Sequence, residues 1–208
     1  REVKAVKLTV EKADIWGQRF LYEGEEYEIS LSGEHQPGNA AVALKTLQCL
    51  DEKGFPTTLE QRKTGLKEAQ WPGRFSVIHR SPLFIVDGAH NPGAAEMLAE
   101  SVRRYFNGKK IFYIIGMFKD KDYNKVLEIT CPYAQKIWTI QTPDNPRALP
   151  AGKLARAAAR FHPCVEEAGS MEEAVKKAFH TAGKEDVILA FGSLSFLGEL
   201  SRIVKTQE

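Results

Sequence analysis

The stretch LFIVDGAHNPGAAEMLAESVRRYF, residues 83–106, decides the fold, because it changes from a strand-like pattern to a helical one across a short turn. Its first residues, Leu83 to Val86, form a continuous apolar run of the kind found in strands that are buried on both faces. Pro92 suits the first position of a helix, with Asn91 as its cap. The stretch therefore predicts a β-α unit whose helix extends from Pro92 to Phe106.

The same unit repeats along the rest of the chain. The sequence predicts further strands at 111–116, 136–140 and 187–191, and further helices at 123–129, 149–161, 170–182 and beyond residue 191. Apolar strands that alternate with helices are typical of a mainly parallel sheet that is covered on both faces. We therefore expect an α/β fold.

The residues before this repeat follow a different pattern. Apolar and polar residues alternate from Val3 to Ser32, with a break at Glu23–Glu25, which predicts a small antiparallel sheet. Apolar residues at helical spacing predict a helix over Asn39–Leu50. A second helix is predicted after Thr57 and Thr58, which can cap it, and extends to Lys67.

A Pro-Gly pair at Pro72 and Gly73 separates the two patterns. Because the periodicity differs in kind on either side of this breaker, we expect a domain boundary there. The predicted domains are residues 1–70 and residues 71–208.

Composition excludes several classes of function. The chain has 208 residues, 43% of them hydrophobic, and 29 Lys and Arg against 27 Asp and Glu, so its net charge of +2 indicates no dedicated nucleic-acid-binding face. The apolar runs are too short to cross a bilayer. Three widely separated cysteines, without a C-x-x-C spacing, suggest neither a disulfide framework nor a zinc site. We expect a reducing, cytoplasmic compartment and no membrane partner.

Polar residues collect where the predicted strands end, which is where ligands bind in parallel sheets. Asp87 and His90 flank a helix start and could meet a hydroxyl-rich or anionic ligand, although a helix cap and a solvated loop would also explain them. The run Lys119–Asp122 would ordinarily be a solvated turn. Gly192 and Ser193 could bind a carboxylate or form a tight turn.

Several motifs are absent from the sequence. It contains no G-x-G-x-x-G after a strand, no G-x-x-x-x-G-K-[ST], no H-E-x-x-H and no G-x-S-x-G. These residues therefore do not hold complete nucleotide chemistry, and the residue patterns alone indicate an α/β ligand-binding domain.

An ordered set of motifs resembles one known family. The motifs are Gly33–Ala41 (GEHQPGNAA), Trp71–Phe75 (WPGRF), Asp87–Pro92 (DGAHNP), Asp120–Asp122 (DKD), Asn145–Pro150 (NPRALP) and Gly192–Leu194 (GSL). In this order they resemble the folylpolyglutamate synthase / dihydrofolate synthase branch of the Mur ligase superfamily. The resemblance implies a Rossmann-like C-terminal domain over residues 71–208, preceded by the tail of a central ATPase domain over residues 1–70.

The resemblance also implies an activity. The family uses ATP and Mg²⁺ to convert a folate or pteroate carboxylate to an acyl phosphate, which the amine of L-glutamate attacks to form an amide. Its phosphate loop and magnesium ligands precede the part that this sequence resembles, and the chain begins with Arg1 rather than Met. We therefore expect the C-terminal half of a cytoplasmic, monomeric ligase, inactive alone and with no metal ligand among these residues.

Three residues are implied in nucleotide binding. Asn39 would lie against the adenine, and Arg74, in the hinge between the domains, would reach the phosphates, where a fixed and always charged guanidinium suits the task. Asp87 would accept hydrogen bonds from the ribose hydroxyls, because an ionised carboxylate offers only acceptors.

Three residues are implied on the glutamate side. His90 would help to position glutamate or nucleotide, so Arg74 and His90 are the candidate catalytic residues. Lys121 and Ser193 are weaker candidates for binding the glutamate carboxylates. The motif Asn145–Pro150 matches the family pattern without an assigned role.

Two other functions stay open at this point. One is a Mur ligase of cell-wall precursors, which shares the domain plan, although DGAHNP at Asp87–Pro92 is closer to the folate branch. The other is a non-catalytic module that retains nucleotide-binding loops.

Overall fold

The computed structural model describes residues 8–206, so the part of the predicted first strand at residues 3–7 lies outside the described residues. The chain divides into two compact units, Arg1–Pro72 and Gly73–Glu208. Within the described range, no helix combines the length and the apolar character that crossing a membrane requires.

The first unit contains a three-stranded antiparallel sheet and two helices. The strands are β1 (Leu8–Asp14), β2 (Gly17–Tyr22) and β3 (Glu25–Ile29), in the order β1-β2-β3, and the helices are α1 (Gln36–Asp51) and α2 (Leu59–Glu68). Its core packs sheet residues against small and apolar residues of α1, namely Phe20, Tyr22, Tyr27, Ile29, Ala40, Ala41 and Leu44.

The predicted start of the first helix of this unit is wrong, and the predicted start of the second helix is confirmed. Helix α1 begins at Gln36 rather than Asn39, because Pro37 lies in the first turn, where a proline needs no amide hydrogen bond. Helix α2 begins after Thr58 as predicted, and the Thr58 hydroxyl and the Gln61 side chain form a reciprocal capping box.

The second unit is built on a six-stranded sheet. Its strands are β4 (Ser76–Arg80), β5 (Leu83–Asp87), β6 (Ile111–Ile115), β7 (Lys136–Thr139), β8 (Val165–Glu167) and β9 (Val187–Phe191). They lie in the order β4-β5-β9-β6-β7-β8, and only the β4–β5 pair is antiparallel. The predicted mainly parallel α/β fold is thereby confirmed.

Helices cover both faces of this sheet. They are α3 (Pro92–Tyr105), α4 (Tyr123–Thr130), α5 (Ala151–Ala158), α6 (Met171–Thr181) and α7 (Leu197–Lys205), with a 3₁₀ turn at Cys131–Tyr133. Helices α6 and α7 contact each other and share a core with Phe84, Ile114 and Ile188. Helix α4 contacts both α3 and α5. The intervening strand residues, such as Ile85 and Leu189, are fully buried as well, because alternate strand residues point to opposite faces.

The sequence patterns missed two strands and misplaced one helix. Strand β4 is a half-buried edge strand, and β8 has three residues, too few for a period to be visible. The predicted helix over 149–161 spans only Ala151–Ala158. At its start, Pro150 is the N-cap with a non-helical ψ of 135° and disfavours a helical backbone at Leu149. At its end, the amides of Arg160 and Phe161 donate to carbonyls three residues back, as in a turn.

Candidate functional site

The carboxyl ends of three adjacent strands bring the predicted site segments of the second unit to one edge of the sheet. Phe191 of β9 pairs with Asp87 of β5 on one side and with Ile115 of β6 on the other. The turns that follow these strands contain His90, Lys121 and Ser193, so these residues follow neighbouring strands. The ligand-binding edge expected for a parallel sheet therefore contains the polar residues that the sequence singled out.

Asp87 connects the end of β5 to the turn that precedes β4. Its Oδ2 accepts a hydrogen bond from the Phe75 amide at 2.8 Å and its Oδ1 accepts one from the Ala89 amide at 2.7 Å. Burial raises the pKa of the Asp87 carboxyl, while these two amides and the charges of Arg74 and His90 oppose that rise. Asp87 thus holds the Arg74-Phe75 segment in place, and the structure brings Arg74, Asp87 and His90 together.

Two glycines and one leucine join three of the motifs. The Gly88 amide donates to the Gly73 carbonyl at 2.8 Å. A Cβ at Gly88 would lie 2.5 Å from Cδ2 of Leu194, and a Cβ at Gly73 would lie 2.9 Å from the same atom. The motifs WPGRF, DGAHNP and GSL therefore meet at this point. Residues that are far apart in the sequence thus contribute to one compact part of the structure.

His90 has a defined orientation at the start of α3. Its Nδ1 donates to the Gly88 carbonyl at 2.8 Å, since a carbonyl oxygen can only accept. This bond leaves Nε2 of the half-buried ring as the atom available to a ligand. Asn91 caps α3 by accepting from the Ala94 amide at 2.9 Å, so the predicted helix start is confirmed.

Ser193 is buried and its hydroxyl is used inside the turn. The side chain is only 4% exposed, Oγ lies 2.8 Å from the Ser195 Oγ, and it accepts from the Ser195 amide at 3.2 Å. Gly192 has φ of 116°, and a Cβ there would overlap the Gly116 carbonyl oxygen. Of the two interpretations left open for this pair, the tight turn accounts for both residues.

Lys121 lies in the loop between β6 and α4. Its side chain is half-buried, and among residues 8–206 its Nζ has no hydrogen-bond or ion-pair partner. The next residue, Asp122, caps α4 by accepting from the Lys125 amide at 3.2 Å. The Lys121 ammonium, whose charge helps to lower the pKa of the neighbouring Asp120 carboxyl, thus stays available for direct contact with an anion at the sheet edge.

Asn39 belongs to the first unit and lies on the exposed side of the first turn of α1. Its Nδ2 donates to Oε1 of Gln36 at 3.2 Å. Gln18, a residue that the sequence patterns did not single out, fixes the loop before this helix by donating to the carbonyls of Leu31 and Gly33 at 3.1 and 2.7 Å.

The motif Asn145–Pro150 contacts the loop that contains Lys121. The Lys119 amide donates to the Arg147 carbonyl at 2.9 Å, and Phe118 forms an antiparallel bridge with Ala148. Arg147 forms an ion pair with Asp120. The order of the motifs in the sequence was the only signal for this contact, because the two segments are about thirty residues apart.

No group of three or more His, Cys, Asp or Glu side chains that could hold a metal ion occurs within residues 8–206. The polar groups at this edge are instead suited to organic and anionic ligands: a guanidinium, an ammonium, an imidazole and a carboxylate.

A mainly parallel sheet with these groups at its carboxyl edge defines an α/β ligand-binding domain. Residues 73–194 match the family model described as "Mur ligase, glutamate ligase domain". Because the match covers more than half of the 208 residues, the chain belongs to this family.

The chain is similar in sequence and in structure to proteins named folylpolyglutamate synthase. It is 32% identical to the folylpolyglutamate synthase of Lacticaseibacillus casei over 151 residues, which cover 69% of this chain and 35% of the relative. The crystal structure of folylpolyglutamate synthase from Thermotoga maritima superposes with a TM-score of 0.78 at 29% identity, covering 97% of this chain and 47% of that one.

A second solved structure is E. coli FolC in complex with DHPP and ADP, with a TM-score of 0.79, 25% identity and coverage of 98% of this chain and 47% of that one. The chain thus spans less than half the length of each of these three proteins.

Proposed function

We propose that this chain is the C-terminal part of an ATP-dependent ligase that adds L-glutamate to folate or dihydropteroate through an acyl phosphate. The observation that carries the proposal is the grouping of Arg74, Asp87 and His90 at the start of α3, within a glutamate ligase domain. Similarity to proteins named folylpolyglutamate synthase supports the folate substrate over a cell-wall precursor.

On the nucleotide side, Arg74 neutralises phosphate charge and Asp87 binds the ribose. Each Asp87 oxygen accepts one backbone amide and keeps a further lone pair for a ribose hydroxyl. The guanidinium of Arg74 stays charged at every physiological pH, which suits a group that faces phosphates. Asn39, exposed on α1, is proposed to contact the adenine.

On the glutamate side, Lys121 and His90 are the proposed ligands. The unpaired Nζ of Lys121 can bind a carboxylate, and Nε2 of His90 can accept a proton or a hydrogen bond from the amine. Placing the amine next to the acyl phosphate supplies much of the rate enhancement in such a reaction. Ser193 contributes mainly through its turn, because its hydroxyl is already hydrogen-bonded.

ATP and Mg²⁺ are the proposed cofactors, and Mg²⁺ would supply charge neutralisation of the phosphoryl group. The described residues 8–206 offer no carboxylate, imidazole or thiol cluster that fits a metal ion, and the sequence has no G-x-x-x-x-G-K-[ST] motif. Because the chain covers less than half of its relatives' length, we propose that the metal ligands and most triphosphate contacts belong to the part of the ligase that this chain does not cover. Residues 1–70 are proposed to be the tail of the ATPase domain, and the isolated chain is expected to lack ligase activity.

We also propose that the protein is cytoplasmic and monomeric. The family resemblance implies the monomeric state, and the cysteines favour the compartment. Cys49, Cys131 and Cys164 are all free thiols, as a reducing compartment favours. Burial raises the pKa of Cys131 to about 12, so this thiol is a packing group rather than a nucleophile.

The test is glutamate-dependent ADP release by the natural polypeptide that contains this chain, with dihydropteroate, tetrahydrofolate or a UDP-linked muramyl precursor as acceptor. We expect turnover with one or both pterin substrates and none with the muramyl precursor. His90→Ala is expected to lower kcat/KM for glutamate about a hundredfold, the scale of a lost acid–base or positioning group.

His180→Ala is the matched control, because His180 is exposed on α6. It should leave kcat/KM unchanged. Turnover with the muramyl precursor alone would support a cell-wall ligase, whereas nucleotide binding without turnover would support a non-catalytic module.

A further inference from the structure

We propose that Arg147 is a positioning residue, which holds the loop Met117–Asp122 through Asp120 and Phe118 so that Lys121 meets the glutamate carboxylate. The proposal deepens the function proposed above and rests on it for the role of Lys121. It also gives a role to the motif Asn145–Pro150.

Backbone pairing places Arg147 beside the loop. The Lys119 amide donates to the Arg147 carbonyl at 2.9 Å, and the Leu149 amide donates to the Met117 carbonyl at 2.9 Å. These two bonds enclose the antiparallel bridge between Phe118 and Ala148. The start of the loop is therefore paired with the motif as two neighbouring strands would be, over the length of a single bridge.

The Arg147 side chain contacts two side chains of the loop, those of Asp120 and Phe118. Its Nε and Nη2 donate to Oδ1 and Oδ2 of Asp120 at 3.1 and 2.5 Å, and its guanidinium carbon lies 4.8 Å from the centre of the Phe118 ring. A forked pair fixes direction as well as distance, and lysine cannot reproduce it. The Arg147 guanidinium lowers the pKa of the Asp120 carboxyl, which keeps the pair charged.

Exposure argues that this pair serves geometry rather than stability. The side chains of Arg147 and Asp120 are 52% and 46% exposed, and ion pairs at such positions contribute little to the free energy of unfolding. The ion pair between Arg147 and Asp120 instead acts on the loop itself, because it restricts where the Asp120 backbone can lie.

Arg147 is itself held from its own side. Asn145 Oδ1 accepts from the Arg147 amide at 2.9 Å, and the Ala148 amide donates to the Asn145 carbonyl at 2.9 Å. Ala148 and Leu149 are buried, so the segment is anchored in the domain core. The backbone of Arg147, from which the side chain reaches Asp120, is therefore held by hydrogen bonds and by two buried neighbours.

Lys121 lies between two fixed points. Asp120 precedes it and is held by Arg147, while Asp122 follows it and caps α4. The Lys121 amide donates to the Phe118 carbonyl at 3.3 Å, and its own carbonyl accepts from the Tyr123 amide at 2.8 Å. Releasing Asp120 would free one of these points and let the Lys121 backbone shift.

The experiment compares the natural full-length polypeptide with its Arg147→Gln, Arg147→Lys and Asp120→Asn variants. We expect R147Q to raise KM for glutamate about tenfold, below the hundredfold that a 1 Å displacement can cause, with kcat within about twofold and KM for ATP unchanged. R147K should recover part of the loss, because it keeps the charge without the fork. The double variant D120N/R147Q should be no worse than R147Q.

Arg160→Gln is the matched control. The Arg160 guanidinium also lies over a phenyl ring, 5.5 Å from the centre of Phe161, but it is remote from the loop in the chain. It should change none of the kinetic constants. Amide hydrogen exchange in residues 117–122 should accelerate in R147Q and not in R160Q.

Three results would overturn the proposal. The first is an unchanged KM for glutamate in R147Q, and the second is additive effects of the two substitutions in the double variant. The third is an equal loss of kcat/KM for glutamate and for ATP in R147Q together with a lower melting temperature, which would indicate a general structural defect. If the wild-type polypeptide showed no ligase activity, the proposed function would fail. Hydrogen exchange would then still show whether Arg147 holds the loop, and unaltered exchange in R147Q would refute that as well.

Discussion

At Gly192, the end of β9 passes so close to the end of β6 that no side chain has room. The backbone has φ of 116°, in the region that favours glycine, and a Cβ would overlap the Gly116 carbonyl and lie 2.7 Å from Sδ of Met117. Gly192 therefore serves backbone packing at the sheet edge, where the sequence alone also allowed a carboxylate-binding role.

Gly192→Ala is expected to lower the free energy of unfolding by about 3 kcal/mol, because it combines an unfavourable φ with a clash against backbone atoms. Urea denaturation measures this loss. Gly198→Ala is the control, since Gly198 is exposed in α7 with nothing within 4 Å of a Cβ, and it should stabilise the protein by about 0.5–1 kcal/mol. Equal stability of G192A and the wild type would contradict this account of the sheet edge.

At the level of elements, ion pairs hold the shortest strand in place. Glu166 of β8 contacts Lys136 of β7 at 2.8 Å and Lys177 of α6 at 2.5 Å. Lys177 also contacts Glu173 at 2.5 Å, and Glu173 accepts from the Gly169 amide at 2.8 Å. A strand of three residues has few ladder hydrogen bonds, so these contacts add to its attachment at the edge of the sheet.

The two lysines lower the pKa of Glu166 to about 2 from an ordinary value of 4.5. A carboxyl whose folded-state pKa is lowered stabilises the protein above its unfolded pKa, and that contribution is lost as pH falls from about 4.5 to about 2. Glu166→Gln should therefore reduce the loss of unfolding free energy between pH 5 and pH 2 by about 1 kcal/mol, after allowance for solvent screening.

Chemical denaturation at a series of pH values measures this difference. Glu128→Gln, which removes an isolated exposed ion pair with Lys125 on α4, is the control and should have a smaller effect. Identical pH profiles for E166Q and the wild type would show that the lysine pair does not stabilise the folded state.

At the level of the whole molecule, the second unit has the features of an independent folding domain. Its sheet is covered on both faces and its core includes the fully buried Trp138. The other two tryptophans, Trp16 and Trp71, belong to the first unit. The tryptophan fluorescence of residues 73–208, excited selectively over tyrosine, therefore reports on Trp138 alone.

Residues 73–208, expressed alone, are expected to unfold in one cooperative transition, because the unit contains its own core. Trp138 fluorescence and far-ultraviolet circular dichroism should give coincident urea curves. Separate midpoints for the two signals, or a fragment with no cooperative transition, would show that the unit requires the rest of the chain.

By itself, the sequence determined the α/β class and most strands and helices of the second unit, because buried apolar strands and helix caps are local features. It also determined the family, because the order of the motifs can be read along the chain without knowing which of them touch. The sequence did not predict strand β4, which is a half-buried edge strand, or strand β8, which has only three residues. It also misplaced the start of α1, because a proline in the first turn gives a weak local pattern.

Only the tertiary structure decided which of the distant motifs touch. In the folded domain, Gly73 and Gly88 both lie against Leu194, the Ser193 hydroxyl bonds within its own turn, and Arg147 pairs with Asp120. These contacts depend on which strands become neighbours in the sheet. Strand order is set by long-range packing of the whole domain, and no local period in the sequence records it.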